Sequence, residues 1–106
     1  MRALAYVFSA AADGQPLTID RDCELSSFAM GRNVVISTSS ADTIANTITT
    51  PTPGGLSKPN VLAVMVASTG QQQFVHYNLL AGEKIFLSSS GAGTLVLFFA
   101  DVTPSP

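Results

Sequence analysis

The second half of the chain is a regular succession of short apolar segments, each ended by residues that favour turns. The segments are residues 61–68, 72–79, 84–89 and 94–102. Glycine occurs in each of the three intervening stretches, where it allows the tight backbone geometry of a turn. Strands spaced eight to twelve residues apart with a turn signal at each end are typical of an antiparallel β-sandwich or barrel. This half of the chain therefore predicts an all-β fold.

The first half contains four further candidate strands, at residues 3–9, 15–20, 25–30 and 33–38. In the first of them, Leu4, Tyr6 and Phe8 alternate with smaller residues, which is the period of two that marks a strand. Asp13-Gly14 predicts a turn before the second strand, and the charged residues 20–24 predict a turn before the third. A chain of 106 residues is long enough for one core, so we expect a single domain over residues 1–106.

Residues 39–60 differ in composition from the rest of the chain, because they are rich in Ser, Thr and Pro. Three prolines and the pair Gly54-Gly55 prevent a continuous element there, although Ser39 or Ser40 could cap a short helical turn through Ile44 and Ile48. A connection of this length in a small domain is usually functional or disordered. We therefore expect a contact arm, with a plain crossover between strands as the alternative. The tail, residues 103–106, is expected to be irregular.

The charge content is low. Charged residues make up 11% of the chain, against about 25% in an average soluble domain. The net charge is −2 and the basic residues are scattered singly, so the sequence predicts no nucleic-acid partner. No apolar run reaches membrane length, and we expect no membrane partner. A mean hydropathy of +0.36 then suggests that a protein partner hides part of the apolar surface.

The stretch that most resembles a phosphate-binding or catalytic motif is SSSGAGT, residues 88–94. It lacks the lysine and the third glycine of phosphate-binding loops, and none of its serines lies in the Gly-x-Ser-x-Gly frame of a nucleophile elbow. A strand follows it, so we predict a hairpin tip. His76 is the only histidine and Cys23 the only cysteine. His76 is expected at a surface or an interface, and Cys23 as a small buried side chain.

Asp20, Asp22 and Glu24 occupy alternate positions and form the best candidate for a cation site. They lack the glycine and the downstream glutamate of a helical calcium loop, so a solvated turn is the preferred interpretation. The sequence thus predicts no catalytic, cofactor-binding or metal-binding residues, and no enzyme.

Two segments, residues 61–67 and 95–100, are apolar on both strand faces, whereas a sandwich strand needs only one apolar face. The outer face must then be covered by the arm, by a second copy or by a larger assembly. A cyclic homo-oligomer, which we expect to be a trimer, would cover it with one repeated interface. The alternative is burial under the arm within one monomer. The predicted contact surfaces are the arm, residues 3–8 and the outer face of residues 61–67. The candidate interface residues are Leu4, Tyr6, Phe8, Ile44, Ile48, Leu56, Val64, Met65 and Phe98.

The turn from Leu80 to Ile85, the Ser-Gly-Ala-Gly tip and the apolar closing strand resemble the end of small jelly-roll structural proteins of tailed bacteriophage heads, the decoration or cement class. The resemblance covers the last third of the chain. It implies a jelly-roll-like antiparallel sandwich of seven or eight strands with one long arm. It also implies a trimer that binds the capsid coat protein on the virion, is made in the host cytoplasm and uses no cofactor.

A second hypothesis is a small β-sandwich binding module that recognises a carbohydrate or a receptor through its end loops. Such a module needs aromatic platforms near polar loops. The chain has no Trp, and both Tyr6 and Tyr77 lie within predicted strands.

Overall fold

The computed structural model describes residues 2–48, 60–66 and 73–101. In these residues the chain forms eight strands and one short helix. They are β1 Arg2–Phe8, β2 Ala12–Thr18, β3 Cys23–Ala29, β4 Val34–Ser37, α1 Ile44–Thr47, β5 Val61–Met65, β6 Gln73–Leu79, β7 Lys84–Ser89 and β8 Gly93–Asp101.

The strands form two four-stranded antiparallel sheets. Sheet A has the order β1-β8-β3-β6, and sheet B has the order β2-β7-β4-β5. The chain can be described as one long hairpin that reverses direction between β4 and β5. Its successive strand pairs are β1·β8, β2·β7, β3·β6 and β4·β5. Pairing of β8 with β3 and of β7 with β4 rolls this hairpin into a sandwich. This is a jelly-roll arrangement, and the predicted antiparallel sandwich is confirmed.

The core lies between the two sheets and follows from the alternation of side chains along each strand. Sheet A contributes side chains such as Leu25, Leu97 and Phe99, and sheet B contributes side chains such as Ile36 and Leu87. Each large apolar side chain buried in this way contributes about 1.5–3 kcal/mol to folding.

The connection from β7 to β8 is not a hairpin tip, so that prediction was wrong. Strand β7 pairs with β2 and β4 in sheet B, whereas β8 pairs with β1 and β3 in sheet A. Residues 90–92 therefore carry the chain from one sheet to the other. A turn signal between two apolar segments marks a reversal of the chain, but it does not say whether the next strand joins the same sheet.

The predicted turn at Asp13-Gly14 was also wrong, because both residues lie within β2. The register against β7 shifts between Ala12 and Gln15, and Gly14 has φ +62°. Glycine thus supplies a left-handed conformation for a bulge rather than for a turn. The N–H of Gly14 donates to Ser88 Oγ at 2.9 Å. Residues 23 and 24, predicted as part of a charged turn, begin β3.

The short helix α1 is capped by Thr43, not by Ser39 or Ser40. The side chain of Thr43 accepts a hydrogen bond from the N–H of Asn46 at 3.2 Å, and the N–H of Thr43 donates to Asn46 Oδ1 at 2.8 Å. This reciprocal capping box satisfies two backbone donors that a helix start otherwise leaves unpaired. The predicted helical turn before Ile48 therefore exists, although it begins at Ile44.

Replacing Gly14 with Ala should lower the free energy of unfolding by about 1–3 kcal/mol, because a Cβ there would be strained at positive φ. The added Cβ would also lie 3.0 Å from the carbonyl oxygen of Ser40. The matched control is Gly31→Ala, where a Cβ meets nothing within 4 Å. Urea denaturation of the two variants measures the difference, and equal stabilities would contradict the bulge.

Candidate functional site

The outer face of sheet B is buried within the chain at β4 and β5. Val35 and Val64 pair across β4 and β5 on this face, yet their side chains are 0% and 6% exposed. Helix α1 contacts β4. Ser37 Oγ donates to Asp42 Oδ2 at 2.6 Å, and the N–H of Ile44 donates to Asp13 Oδ1 at 2.9 Å. The start of the arm is thus anchored on sheet B at both β2 and β4.

Three of the predicted interface residues are consequently buried within the chain. Phe8 and Met65 belong to the core between the sheets, and Val64 is buried on the outer face of sheet B. We therefore remove these three from the candidate interface. For β5, the alternative in which the run is buried within one monomer fits the structure.

The arm residues have mixed outcomes. Ile44 and Ile48 flank the buried Thr47 and are half-buried themselves. The described beginning of the arm is therefore part of the sandwich. Leu56 lies outside the described residues.

The outer face of sheet A is different. Among the side chains that the structure describes, it carries seven apolar ones on β1, β3 and β8, which we call the A face: Ala3, Ala5, Val7, Ala29, Val96, Phe98 and Ala100. Register places them in adjacent rows, with Ala5, Val96 and Ala29 side by side across three strands. Ala3, Ala5 and Val7 are exposed, Val7 to 70%, and the other four are half-buried. The A face is thus an apolar surface on the outside of the molecule.

Polar residues mark the margin of the A face on the side of β6. Glu24 lies opposite Ala100 and Asn78 in the register, and its Oε1 is 3.0 Å from His76 Nδ1. His76 is exposed, as predicted for a surface histidine. Its contact with Glu24 links β6 to β3 across the edge of the sheet.

Leu4 and Tyr6 lie on the opposite face of β1, turned towards the core and half-buried. The sandwich is open on this side, where a cleft of about 150 Å³ is lined by Leu4, Leu17 and Phe99 among other residues. The Tyr6 ring packs against Phe8 at a centroid distance of 5.0 Å. Edge strand β1 therefore has apolar side chains on both faces.

Arg2 and Asp20 also line this cleft. The guanidinium donates two hydrogen bonds to the carboxylate, at 2.8 and 3.1 Å, and lies 5.6 Å from the centre of the Phe99 ring. These hydrogen bonds hold the pKa of Asp20 below its usual value and raise that of Arg2. The pair joins the start of β1 to the turn before β3.

The three alternating carboxylates do not converge. Asp20 binds Arg2, Asp22 Oδ1 accepts from the N–H of Ala81 at 2.9 Å, and Glu24 faces His76. Within residues 2–48, 60–66 and 73–101 there is no group of three His, Cys, Asp or Glu side chains able to hold a metal ion.

The three serines before Gly91 make hydrogen bonds to backbone groups of the sandwich. Ser88 Oγ accepts from Gly14, Ser89 Oγ donates to the carbonyl of Gly91 at 2.7 Å, and Ser90 Oγ accepts from the N–H of Asn33 at 3.1 Å. Cys23 is fully buried, and burial raises the pKa of its thiol, which keeps the thiol in its unreactive neutral form.

In the described part of the chain, no helix has the length and apolar character needed to span a membrane. Comparisons with models of protein families, with curated proteins and with solved structures found no match.

The sequence interpretation named Phe98 and predicted residues 3–8 as a contact surface, but it did not name Ala29, Val96 or Ala100. Alternation in residues 3–9 already separated Ala3, Ala5 and Val7 from Leu4, Tyr6 and Phe8, which was the available signal. The pairing of β1 with β8 and β3 was needed to show that these small residues adjoin Val96 and Ala29.

Replacing Val64 with Glu should destabilise the fold by about 3 kcal/mol or more, because it buries an unpaired charge. The control, Val7→Glu, places the same charge on an exposed side chain of the A face and should change stability by no more than about 0.5 kcal/mol. Thermal denaturation of dilute protein compares the two variants. Equal losses of stability would mean that the two outer faces do not differ as described.

The contribution of Asp20 should depend on pH. Because its pKa is lower in the folded than in the unfolded chain, its stabilising effect is present above the unfolded value, near 3.8, and is lost as pH falls through the folded value. The difference in melting temperature between wild type and Asp20→Asn should therefore shrink as pH is lowered below 4. A difference that stays constant over this range would contradict the ion pair.

Proposed function

We propose that the chain is a non-enzymatic structural protein of a virus particle, which binds coat protein on the capsid surface and stabilises the shell. The observation that carries the proposal is the contrast between the two outer faces. In the described residues, Val35 and Val64 on the outer face of sheet B are buried, whereas Ala3, Ala5 and Val7 of the A face are exposed and its other four side chains are half-buried. Large exposed apolar patches on folded proteins mark sites of interaction.

The size of the A face argues for many weak contacts. Three strands of seven residues span roughly 340 Å², less than half of the about 800 Å² that each partner buries in a standard interface. One copy would bind weakly through this face alone. Self-association, for which the sequence predicts a homotrimer, would join several such faces and raise the overall affinity by avidity. A repetitive capsid surface offers the matching array of sites.

Two further features support the proposal. The jelly roll is a common architecture of viral capsid domains, although lectins and cupins share it, so the fold alone does not decide the function. The resemblance of the last third of the chain to decoration proteins of bacteriophage heads favours the viral role. The low charge suits a component whose affinity comes from burial.

The alternative, recognition of a carbohydrate or receptor by end loops, has less support in the described residues. Tyr77, 39% exposed, is the exposed aromatic side chain there, and it lies within β6 rather than in a loop. The proposed contact is therefore the sheet face.

The proposal is tested on purified particles of the virus whose genome encodes the chain. Mass spectrometry should find the protein in many copies per particle, and mild denaturant should strip it. Stripped particles should lose resistance to heat, and added purified protein should restore it.

The variant for this rebinding test is Ala29→Glu, which places a charge on the A face beside Val96 and should weaken rebinding at least about tenfold. The matched control is Ala41→Glu, an exposed alanine outside the A face, which should rebind normally. Particles without the protein, or equal rebinding of both variants, would contradict the proposal.

A further inference from the structure

Each sheet of the sandwich has two edge strands, which are β1 and β6 in sheet A and β2 and β5 in sheet B. An edge strand presents unpaired N–H and C=O groups and can pair with another chain unless its sequence interrupts it. Three of the four edges are interrupted. Strand β2 contains Pro16 and the bulge at Gly14, and both β5 and β6 break register with their neighbours.

Strand β1 is the uninterrupted edge. Its seven residues pair one for one with β8, from Arg2 opposite Phe99 to Phe8 opposite Gly93. It contains no proline, no glycine and no bulge, and its single charge is at its first residue. Ala3, Ala5 and Val7 are exposed on one face, and Leu4 and Tyr6 are half-buried on the other. In the described residues, no strand pairs with the outer edge of β1.

We propose that β1 pairs antiparallel with β1 of a second copy, about a twofold axis at Ala5. The two A sheets then form one continuous sheet of eight strands. The inference deepens the self-association in the proposed function and rests on that part of it.

The sequence of β1 is complementary to itself in this register. With Ala5 opposite Ala5 of the second copy, Ala3 lies opposite Val7, Leu4 opposite Tyr6, and Arg2 opposite Phe8. Exposed residues meet exposed residues on one face, and core-facing residues meet core-facing residues on the other. A register shift of one residue would place exposed residues opposite core-facing residues, and this match would be lost.

Charge favours the antiparallel direction. A parallel pair in register would place the two Arg2 side chains next to each other, at the spacing of neighbouring strands, about 4.8 Å. In the antiparallel register they lie about 20 Å apart, well beyond the about 8 Å over which salt screens charges. Each Arg2 also keeps its own Asp20, so the pairing leaves no new charge unpaired.

The dimer would also enlarge the docking surface. Two A faces side by side span roughly 700 Å², close to the area that one partner contributes to a standard interface. The smallest closed assembly from this contact is a dimer, in place of the trimer expected from sequence. A ring of three needs two different contact patches, whereas an edge that matches itself generates a twofold axis.

Light scattering across a hundredfold dilution tests the inference. The wild-type mass should move between one and two chains of 11.0 kDa. Ala5→Lys places two lysines opposite each other at the axis and should raise the dimer dissociation constant at least about tenfold. High salt should partly reverse this effect.

The decisive experiment mixes two variants of opposite charge. Ala5→Glu alone should also be monomeric, but mixing it with Ala5→Lys should restore a dimer with one copy of each, because opposite charges then meet at the axis. Ala41→Lys is the matched control and should dimerise like the wild type. Circular dichroism of each variant verifies that it is folded.

A wild-type mass of one chain at all concentrations, a mass of three chains, or a dimer unaffected by Ala5→Lys would each overturn the β1 pairing. Rebinding to stripped particles separates this result from the proposed function. A monomer that still binds particles would remove the dimer and leave the capsid role, whereas a dimer that does not bind them would do the reverse.

Discussion

The architecture depends on how the residues after β4 attach to the outer face of sheet B. Ser37 and Asp42 bond at 2.6 Å, and the bulge in β2 offers Asp13 to the first N–H of α1. Ser88, also on this face, accepts from Gly14 and donates weakly to the carbonyl of Asp42 at 3.4 Å. These contacts lie beside Val35 and Val64, which are buried, so the β4–β5 part of sheet B is closed on both faces. Sheet A has no comparable cover in the described residues, and this asymmetry makes it the candidate for binding.

The fold class was predictable because alternation and turn spacing are local properties of a strand. The pairing was not, since residues 90–92 carry the same turn signal whether β8 returns to sheet B or crosses to sheet A. The bulge at Gly14 shows the same limit. Asp-Gly is a strong turn signal, but here Asp13 accepts from α1 and the N–H of Gly14 donates to Ser88, long-range contacts of the bulge that a local signal does not contain.

The candidate site was predictable in part. The sequence indicated that the outer faces of residues 61–67 and 95–100 each needed to be covered. The structure covers the outer faces of the two strands to different degrees. Val64 is buried within the chain, while Phe98 remains half-buried beside exposed alanines of β1. Which run would be covered depends on where the arm lies, and that is a tertiary property. Residues 3–8 were predicted as a contact surface, but the named side chains were the larger Leu4, Tyr6 and Phe8, which lie on the core-facing side of β1.

The central claim is that the A face is the binding surface and that the sheet B face is not. Hydroxyl-radical footprinting of side chains, on the free protein and on protein rebound to stripped particles, tests it most directly. In the free protein Val7 and Phe98 should be labelled and Val35 and Val64 should resist labelling. On the particle, Val7 and Phe98 should become protected while Leu80, exposed after β6, stays labelled. Protection of Leu80 with unchanged labelling of Phe98 and Val7 would contradict the account and direct attention to the end loops.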